Sequence, residues 1–365
     1  MPQLPLHALH QKLGANFKTE FNRDIPADYG DPLKEYQAAR EDVALADLSH
    51  QGKFIVSGAD AAAFLQGLIS NDLSLASDHS GIYATLLTAK GKTLSDFYLF
   101  PLPEGFLMEV DGGNAENTKN HLMRFRLRSK VEMSVPPWGM LLVSGPSSTK
   151  LLEKVVGVPL PEMTEKFFFE KEVDGARLIC IKRSVTGETD FHLYCPVDHI
   201  EALWRKFLSE GEALNIQPAG QTALDVLRVE AGKPKYGMEL DEDTLPVEAG
   251  LQDEAISYTK GCFPGQEVVA RIKTYGHVNR LLSGLIVDEE TLPHKGSAVF
   301  HDDKKIGWVT SAVHSPRIGK IIAMAYVRRE AATPGTEARI DLGNGKDVSA
   351  QVVALPFYQK QDEEH

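Results

Sequence analysis

Lys260-Gly261-Cys262-Phe263-Pro264-Gly265-Gln266-Glu267, running on into Val268-Val269-Ala270-Arg271, places a thiol among two glycines and a proline. Glycine reaches backbone conformations closed to other residues and proline fixes its own φ, so a sharply turning loop that carries Cys262 is expected. Two fates are open for the sulfur. A cation such as Lys260 beside an exposed thiol favours the reactive thiolate, whereas free cysteine is more commonly buried and inert.

Downstream of this segment, beyond Gly276, helical periodicity disappears. Strand-like runs at Leu281 to Val287, Ser297 to Phe300, Lys305 to Val313, Lys320 to Val327, Ala338 to Leu342 and Asp347 to Val353 are separated by Asp, Gly and Pro clusters, and Asn344-Gly345 is a two-residue hairpin signal. Short strands with turns between them predict a small C-terminal β-barrel or sandwich. The polar stretch from Gln359 to His365 reads as a frayed tail.

Upstream, strands and helices alternate. Asp31-Pro32 opens a short helix with Leu33, Tyr36 and Ala39 at helical spacing. Gln51 to Gly58 reads as a strand leading into a helix that buries Ala63, Phe64, Leu65 and Leu68 and stops at Ser70-Asn71-Asp72. Gly81 to Val110 is a three-strand meander with turns at Lys90-Gly91-Lys92 and Pro103-Glu104-Gly105. Asn114 then caps a helix reaching about Arg128, and strands resume at Val131 to Val135 and Met140 to Ser144. Ile200, Leu203, Trp204, Phe207 and Leu208 form the clearest amphipathic stripe, with Gly211 as its stop, and a helix from about Thr222 to Glu230 follows.

The composition fits such a protein. A length of 365 residues suggests two or three domains, and 42% apolar with 25% charged residues is ordinary globular usage. A formal charge of −12 opposes polyanions over most of the surface, so nucleic acid is not an expected partner. No apolar run approaches the ~20 residues of a membrane span. The N-terminal residues lack a signal-peptide pattern, and a cytoplasmic location is expected. Three cysteines, Cys180, Cys195 and Cys262, without a C-x-x-C pair argue against a disulfide framework and for a reducing compartment. No metal site is expected: His7 and His10 have no third ligand nearby in sequence. Gly91-Lys92-Thr93 completes only half of a phosphate-binding loop, because Leu86 occupies the first glycine position, so a tight turn is expected there.

The octamer resembles the K-G-C-x-x-G-Q-E signature of the YgfZ family of folate-binding proteins, which includes mitochondrial proteins supporting late iron–sulfur cluster assembly. That family shares a superfamily with the glycine cleavage T-protein (GcvT), an aminomethyltransferase, and the resemblance extends over nearly the whole chain. Ala46-Asp47-Leu48-Ser49-His50 is similar to its D-x-S-H start, and Phe64 to Asp72 to its F-L-Q-x-L-x-T-N-D helix end. Leu87 to Asp96 resembles the x-G-K/R-x-x-x-D strand pair. Leu227 to Gly232, Tyr236 to Leu240 and Pro246 to Leu251 match three further blocks in order.

This resemblance implies an α+β fold of three domains forming a ring, with a central channel holding tetrahydrofolate and a C-terminal β-barrel. The expected domains are residues 1–50 with 137–225, residues 51–136 with 226–275, and residues 276–358, with 359–365 as a tail. It also implies site residues. Arg183-Ser184-Val185-Thr186-Gly187-Glu188 is similar to the R-x-x-Y-T-G-E segment whose glutamate binds the pterin, which assigns Glu188 to pterin recognition. A solvated Glu in a turn is the plainer reading of those residues. Asp96 matches the aspartate near the folate nitrogen that accepts the one-carbon unit, where a carboxylate orients or polarises the amine. Arg228 either pairs with Glu230 or faces the channel. Tyr236 and Glu248 are candidate lining residues, and Arg280 is a candidate partner for the folate glutamate tail.

The chain thus combines the cysteine motif of one branch with the carboxylates of the other. Cys262 and Asp96 are the candidate reactive groups. A tetrahydrofolate-binding, YgfZ-type protein serving iron–sulfur client proteins is the leading expectation. A single motif cysteine cannot hold a cluster alone, so contact with a cluster or partner thiol would be transient. The alternatives are an aminomethyltransferase taking its one-carbon unit from a lipoyl carrier protein, and a folate-binding scaffold without turnover. A monomer is expected.

Overall fold

The computed structural model describes residues 3–343 and 345–360. It begins with α1 (His7–Lys12), the hairpin strands β1 (Asn16–Glu20) and β2 (Arg23–Asp28), α2 (Pro32–Glu41), β3 (Ala44–Asp47), β4 (Gly52–Ser57) and α3 (Ala61–Leu68). Strands β5 (Ile82–Leu87), β6 (Thr93–Leu102) and β7 (Gly105–Val110) follow, then α4 (Ala115–Phe125), β8 (Glu132–Ser134), β9 (Trp138–Ser144) and α5 (Ser148–Val156). Next come β10 (Phe168–Val173), β11 (Ala176–Lys182), β12 (Asp190–Pro196), α6 (Ile200–Gly211), β13 (Gln217–Pro218), α7 (Gln221–Glu230) and α8 (Gln266–Tyr275). The chain closes with β14 (Arg280–Val287), β15 (Ala298–His301), β16 (Lys304–Ser315), β17 (Lys320–Arg328), β18 (Glu337–Asp341) and β19 (Asp347–Val353).

These elements gather into two compact units, residues 1–61, 74–82 and 98–227 in the first and 62–73, 83–97 and 228–365 in the second. The first unit is organised by a six-stranded sheet in the order β10-β11-β12-β9-β3-β13. Its central strands β9 and β12 are buried along nearly their whole length, as expected where both faces are covered. One face packs Leu141, Val143, Leu193 and the α6 residues Trp204 and Phe207; the other packs Met140, Leu142, Tyr194 and Leu227. The stripe read at 200–208 is therefore the buried side of α6, although Gly211 closes its last turn from within.

The second unit holds the expected C-terminal barrel, closed in the order β14-β17-β16-β15-β18-β19. Leu285, Val299, Val309, Ala323, Ala325, Ile340 and Val352 fill it. Side chains alternate between inside and outside along each strand, as in β19, where Val348, Ala350 and Val352 are buried between exposed neighbours. Asn344 and residues 361–365 lie outside the described residues, so the Asn344-Gly345 turn and most of the expected tail do too.

Four local expectations are corrected. Residues 266–275 form a helix, α8, where the sequence reading gave only a turning loop around Cys262; Val269 and Ile272 lie on one side of it and pack with Leu87 and Phe263. The helix after Asn114 ends at Phe125 rather than near Arg128. In α3, Phe64 and Leu65 are buried as expected, but Ala63 is exposed and Leu68 half-buried, because the buried arc is narrower than the apolar run. The hairpin β1–β2, α5 and the strands β10 to β12 were not anticipated.

Two buried polar side chains of the first unit are held by named partners. His10 bridges Asp47 at 3.0 Å and Tyr29 at 2.8 Å, so this histidine locks α1 to β3. Lys53 donates from Nζ to the carbonyls of Ser49 (3.1 Å) and Gln51 (3.3 Å). Burial pushes the Lys53 ammonium down to about 8, against an upward pull from Asp47 and Glu109.

Two predictions follow from this packing. An alanine methyl at Gly307 on β16 would sit 1.9 Å from the Tyr326 carbonyl oxygen, whereas one at Gly319, at φ +70°, meets nothing within 4 Å. Gly307→Ala is expected to lose at least ~2 kcal/mol in urea denaturation, and Gly319→Ala about 1 kcal/mol. For Lys53, a folded pKa below the unfolded one means that the cost of burying charge is present in full below pH 8 and is relieved as pH rises toward the unfolded value. The stability of the wild type relative to Lys53→Met should therefore rise by on the order of 2 kcal/mol between pH 8 and 10. A flat or falling difference would contradict this assignment.

Candidate functional site

In the first unit, the turn between β11 and β12 is organised around a buried carboxylate. Asp190 accepts backbone N–H bonds from Val185 (2.7 Å) and Thr186 (2.9 Å) and the Thr186 hydroxyl at 2.7 Å. Burial nevertheless raises its pKa. Gly187, at φ +85°, supplies the left-handed step that lets the chain reverse there. Glu188 is only 4% exposed, which overturns the reading as a solvated turn residue. Its Oε1 accepts from the Arg40 guanidinium at 2.9 Å, and the same Arg40 nitrogen reaches the Thr186 carbonyl at 3.0 Å. Among the described residues no hydrogen bond uses Glu188 Oε2, so one oxygen of this buried carboxyl remains as an acceptor.

Arg183, four residues before Gly187, has a supporting part. Its guanidinium pairs with Glu109 on β7 and stacks on the Tyr98 ring at 4.3 Å. Glu109 also accepts from the Tyr194 hydroxyl at 2.5 Å, and burial with this acidic neighbour pushes the Tyr194 phenol well above its usual range. The arrangement ties β7 to β11 and β12 behind the turn.

The other candidate residues lie in the second unit. Asp96 is half-buried on β6, and its Oδ2 accepts from the Tyr83 hydroxyl of β5 at 2.8 Å. A phenol donating to one oxygen fixes the rotation of the carboxylate, which a group acting on a substrate amine requires.

Arg228 does not pair with Glu230. Its partner is the fully buried Glu239, at 3.0 Å, with further bonds to the Lys233 carbonyl (2.8 Å) and the Ser311 hydroxyl (3.0 Å). Glu230 instead accepts from Ser315 at 2.5 Å. Glu239 collects Ser311 Oγ at 2.6 Å and the Lys235 amide at 3.0 Å, so one carboxylate fastens α7, the following loop and β16 together.

Arg280 pairs with Glu248 at 3.0 Å and donates to the Asp243 carbonyl at 2.6 Å, between the Trp308 and Tyr326 rings at 4.7 and 5.1 Å. Glu248 also caps the Leu245 amide at 3.0 Å. The Nε atoms of Arg228 and Arg280 are buried without a hydrogen-bond partner among the described residues. Tyr236 is half-buried in the loop that pairs with Leu240.

Cys262 is exposed on the loop before α8, while Cys180 and Cys195 are buried. Burial pushes the Cys195 thiol up to about 12 and Cys180 higher still, so both are inert at neutral pH. The Lys260 ammonium donates to the carbonyls of Gln66 (2.5 Å), Ile69 (2.7 Å) and Asn71 (3.1 Å). These carbonyls belong to the last turn of α3 and the residues just after it, where orphan acceptors and the negative pole of the helix attract a cation. All three ammonium hydrogens are thus occupied, and none is left for the sulfur. Lys260 anchors the loop.

Sequence reading singled out Asp96, Glu188, Arg228, Glu248 and Arg280 but missed the groups that hold them: Arg40, Tyr83, Asp190 and Glu239. No local pattern marks Arg40, which lies 148 residues from Glu188. Asp190, two residues beyond Glu188, was within reach of a turn argument.

Comparison with known proteins matches the geometry to a family. Residues 6–260 match the GCVT N-terminal domain and residues 280–359 the glycine cleavage T-protein C-terminal barrel domain. The chain is 31% identical over 366 residues to a protein named aminomethyltransferase from Caldanaerobacter subterraneus subsp. tengcongensis, covering 99% of this chain and 96% of that one. It is 32% identical over 359 residues to the aminomethyltransferase of Rubrobacter xylanophilus, with 98% and 94% covered. The crystal structure of glycine cleavage system aminomethyltransferase T from Bartonella henselae superposes with a TM-score of 0.89 at 28% identity, covering 98% of both chains. With domains of both kinds in order along its length, this chain belongs to the glycine cleavage T-protein family.

Proposed function

We propose that this protein is a folate-dependent aminomethyltransferase, moving a one-carbon unit from an aminomethyl group on a lipoyl carrier protein to tetrahydrofolate. The carrying observation is similarity along the whole chain to enzymes of that name. Both carboxylates that the family resemblance assigns are present and held in place, Asp96 by Tyr83 and Glu188 by Arg40. Tetrahydrofolate is the one-carbon acceptor of this family.

The reaction sets the demands on these groups. The methylene carbon leaves a lipoyl sulfur and an amine nitrogen and bonds to two folate nitrogens, whose protons depart with the restored thiol and with ammonia. Asp96, its rotation set by Tyr83, would orient the attacking folate amine and take up its proton. Glu188, held by Arg40, would accept N–H groups of the pterin through its unused oxygen. Arg228 and Arg280 are the candidates for acceptors or a carboxylate on the folate, with Tyr236 and Glu248 as lining residues.

One observation favours a second reading. The only exposed cysteine among the described residues, Cys262, stands on a loop anchored by Lys260, and one-carbon transfer has no step for it. A YgfZ-type role in supporting iron–sulfur enzymes through transient thiol contact would use it.

Turnover decides the first reading. The purified protein, given aminomethyl-lipoyl carrier protein and tetrahydrofolate, should form 5,10-methylenetetrahydrofolate. Asp96→Asn should lower kcat at least ~100-fold while changing folate affinity little. Absence of product from the wild type would overturn the reading. For the second, a deletion strain complemented with Cys262→Ser should show reduced iron–sulfur enzyme activities; full restoration would remove the cysteine from any such role.

A further inference from the structure

A cavity of about 910 Å³ in the second unit is lined mostly by positive charge. Arg280, Lys305, Arg328 and Arg329 supply four permanent cations, with His277 beside them, against the single carboxylate of Glu330. Trp308 and the β16 backbone at Ile306 and Gly307 form part of the wall. This is an inversion of the protein's overall charge of −12. Gathering like charges in one hollow costs free energy through mutual repulsion and concentrates a positive potential there.

The cations differ in how they are held. Arg280 is fixed: it lies over Trp308 at 4.7 Å and is joined to Glu248. Arg328 approaches Glu330 only at 3.9 Å, and both are well exposed. Among the described residues, neither Lys305 nor Arg329 has an ion pair or side-chain hydrogen bond. The barrel strands β14, β16 and β17 and the turn after β17 carry these groups, so the scaffold is rigid while Lys305 and Arg329 lack partners among the described residues. A hollow of this size is in the range of small-molecule sites.

We propose that this basin binds a small polyanion bearing two or more carboxylate or phosphate groups. Arginine offers paired N–H donors to either oxyanion and lysine a movable point charge. The proposal shares Arg280 with the one-carbon reading but stands on Lys305, Arg328 and Arg329, which that reading does not use.

The test is calorimetric titration of the full-length protein with two probes, tripolyphosphate and tri-γ-glutamate, in low-salt buffer. The wild type should bind at least one, with an affinity that falls steeply as sodium chloride is raised, since screening weakens attraction between exposed charges. Lys305→Gln/Arg329→Gln should weaken binding about tenfold or more. Lys304→Gln, outside the basin, should leave it within about twofold. Bound probe should also raise the melting temperature of the wild type and not of the double variant. Preference for the glutamate chain would assign a carboxylate ligand, and preference for tripolyphosphate a phosphate ligand. Binding undiminished in the double variant, or no binding of either probe, would overturn the proposal.

Discussion

A carboxylate withdrawn from water stays ionised only where a cation or a set of donors replaces the lost solvent, and this requirement shapes every candidate residue in the protein. Glu188, Glu239 and Glu248 are each buried, and each is met by an arginine, Arg40, Arg228 or Arg280. Asp190 has no arginine and is met by two amides and a hydroxyl. In such pairs the geometry is fixed from both sides. Removal of one partner leaves an uncompensated buried charge, at a cost of ~3–5 kcal/mol, so the arginines hold structure before they serve any ligand.

The pairings also sort the candidates by chemical availability. The guanidinium nitrogens of Arg228 and Arg280 are engaged by Glu239 and Glu248, and the Nε of each is enclosed. Glu248 is engaged by both Arg280 and the Leu245 amide. Glu188 keeps a whole oxygen, and Asp96 is half-buried with one oxygen set by a phenol. The two carboxylates are therefore better suited than the arginines to act on a bound molecule. An amine-rich pterin and a reacting folate nitrogen are matched to acceptors of this kind.

Much of the architecture was readable because it is local. The barrel strands are short, alternate in polarity and are separated by turn residues, and each falls within a few residues of its expected position. The amphipathic stripe of α6 is equally direct. By contrast, α8 begins immediately after Pro264-Gly265 and carries the β-branched pair Val268-Val269, so local propensity pointed away from a helix that burial of Val269 and Ile272 stabilises. Lys260 shows the same limit at the level of chemistry. Its place two residues before Cys262 suggested a thiolate partner, but the acceptors at the end of α3, nearly two hundred residues earlier, take all its donors. Motif resemblance located the carboxylates; their partners are set by tertiary contacts that no sequence period records.

Equilibrium binding of tetrahydrofolate to the intact protein, wild type against Glu188→Gln, tests the central claim most directly. The glutamine keeps the size and one carbonyl oxygen but loses the charge that accepts the pterin N–H groups. The account predicts saturable binding by the wild type and an affinity at least ~10-fold weaker in the variant, with the fold intact by circular dichroism. Wild-type protein that fails to bind, or a variant that binds as tightly, would contradict it.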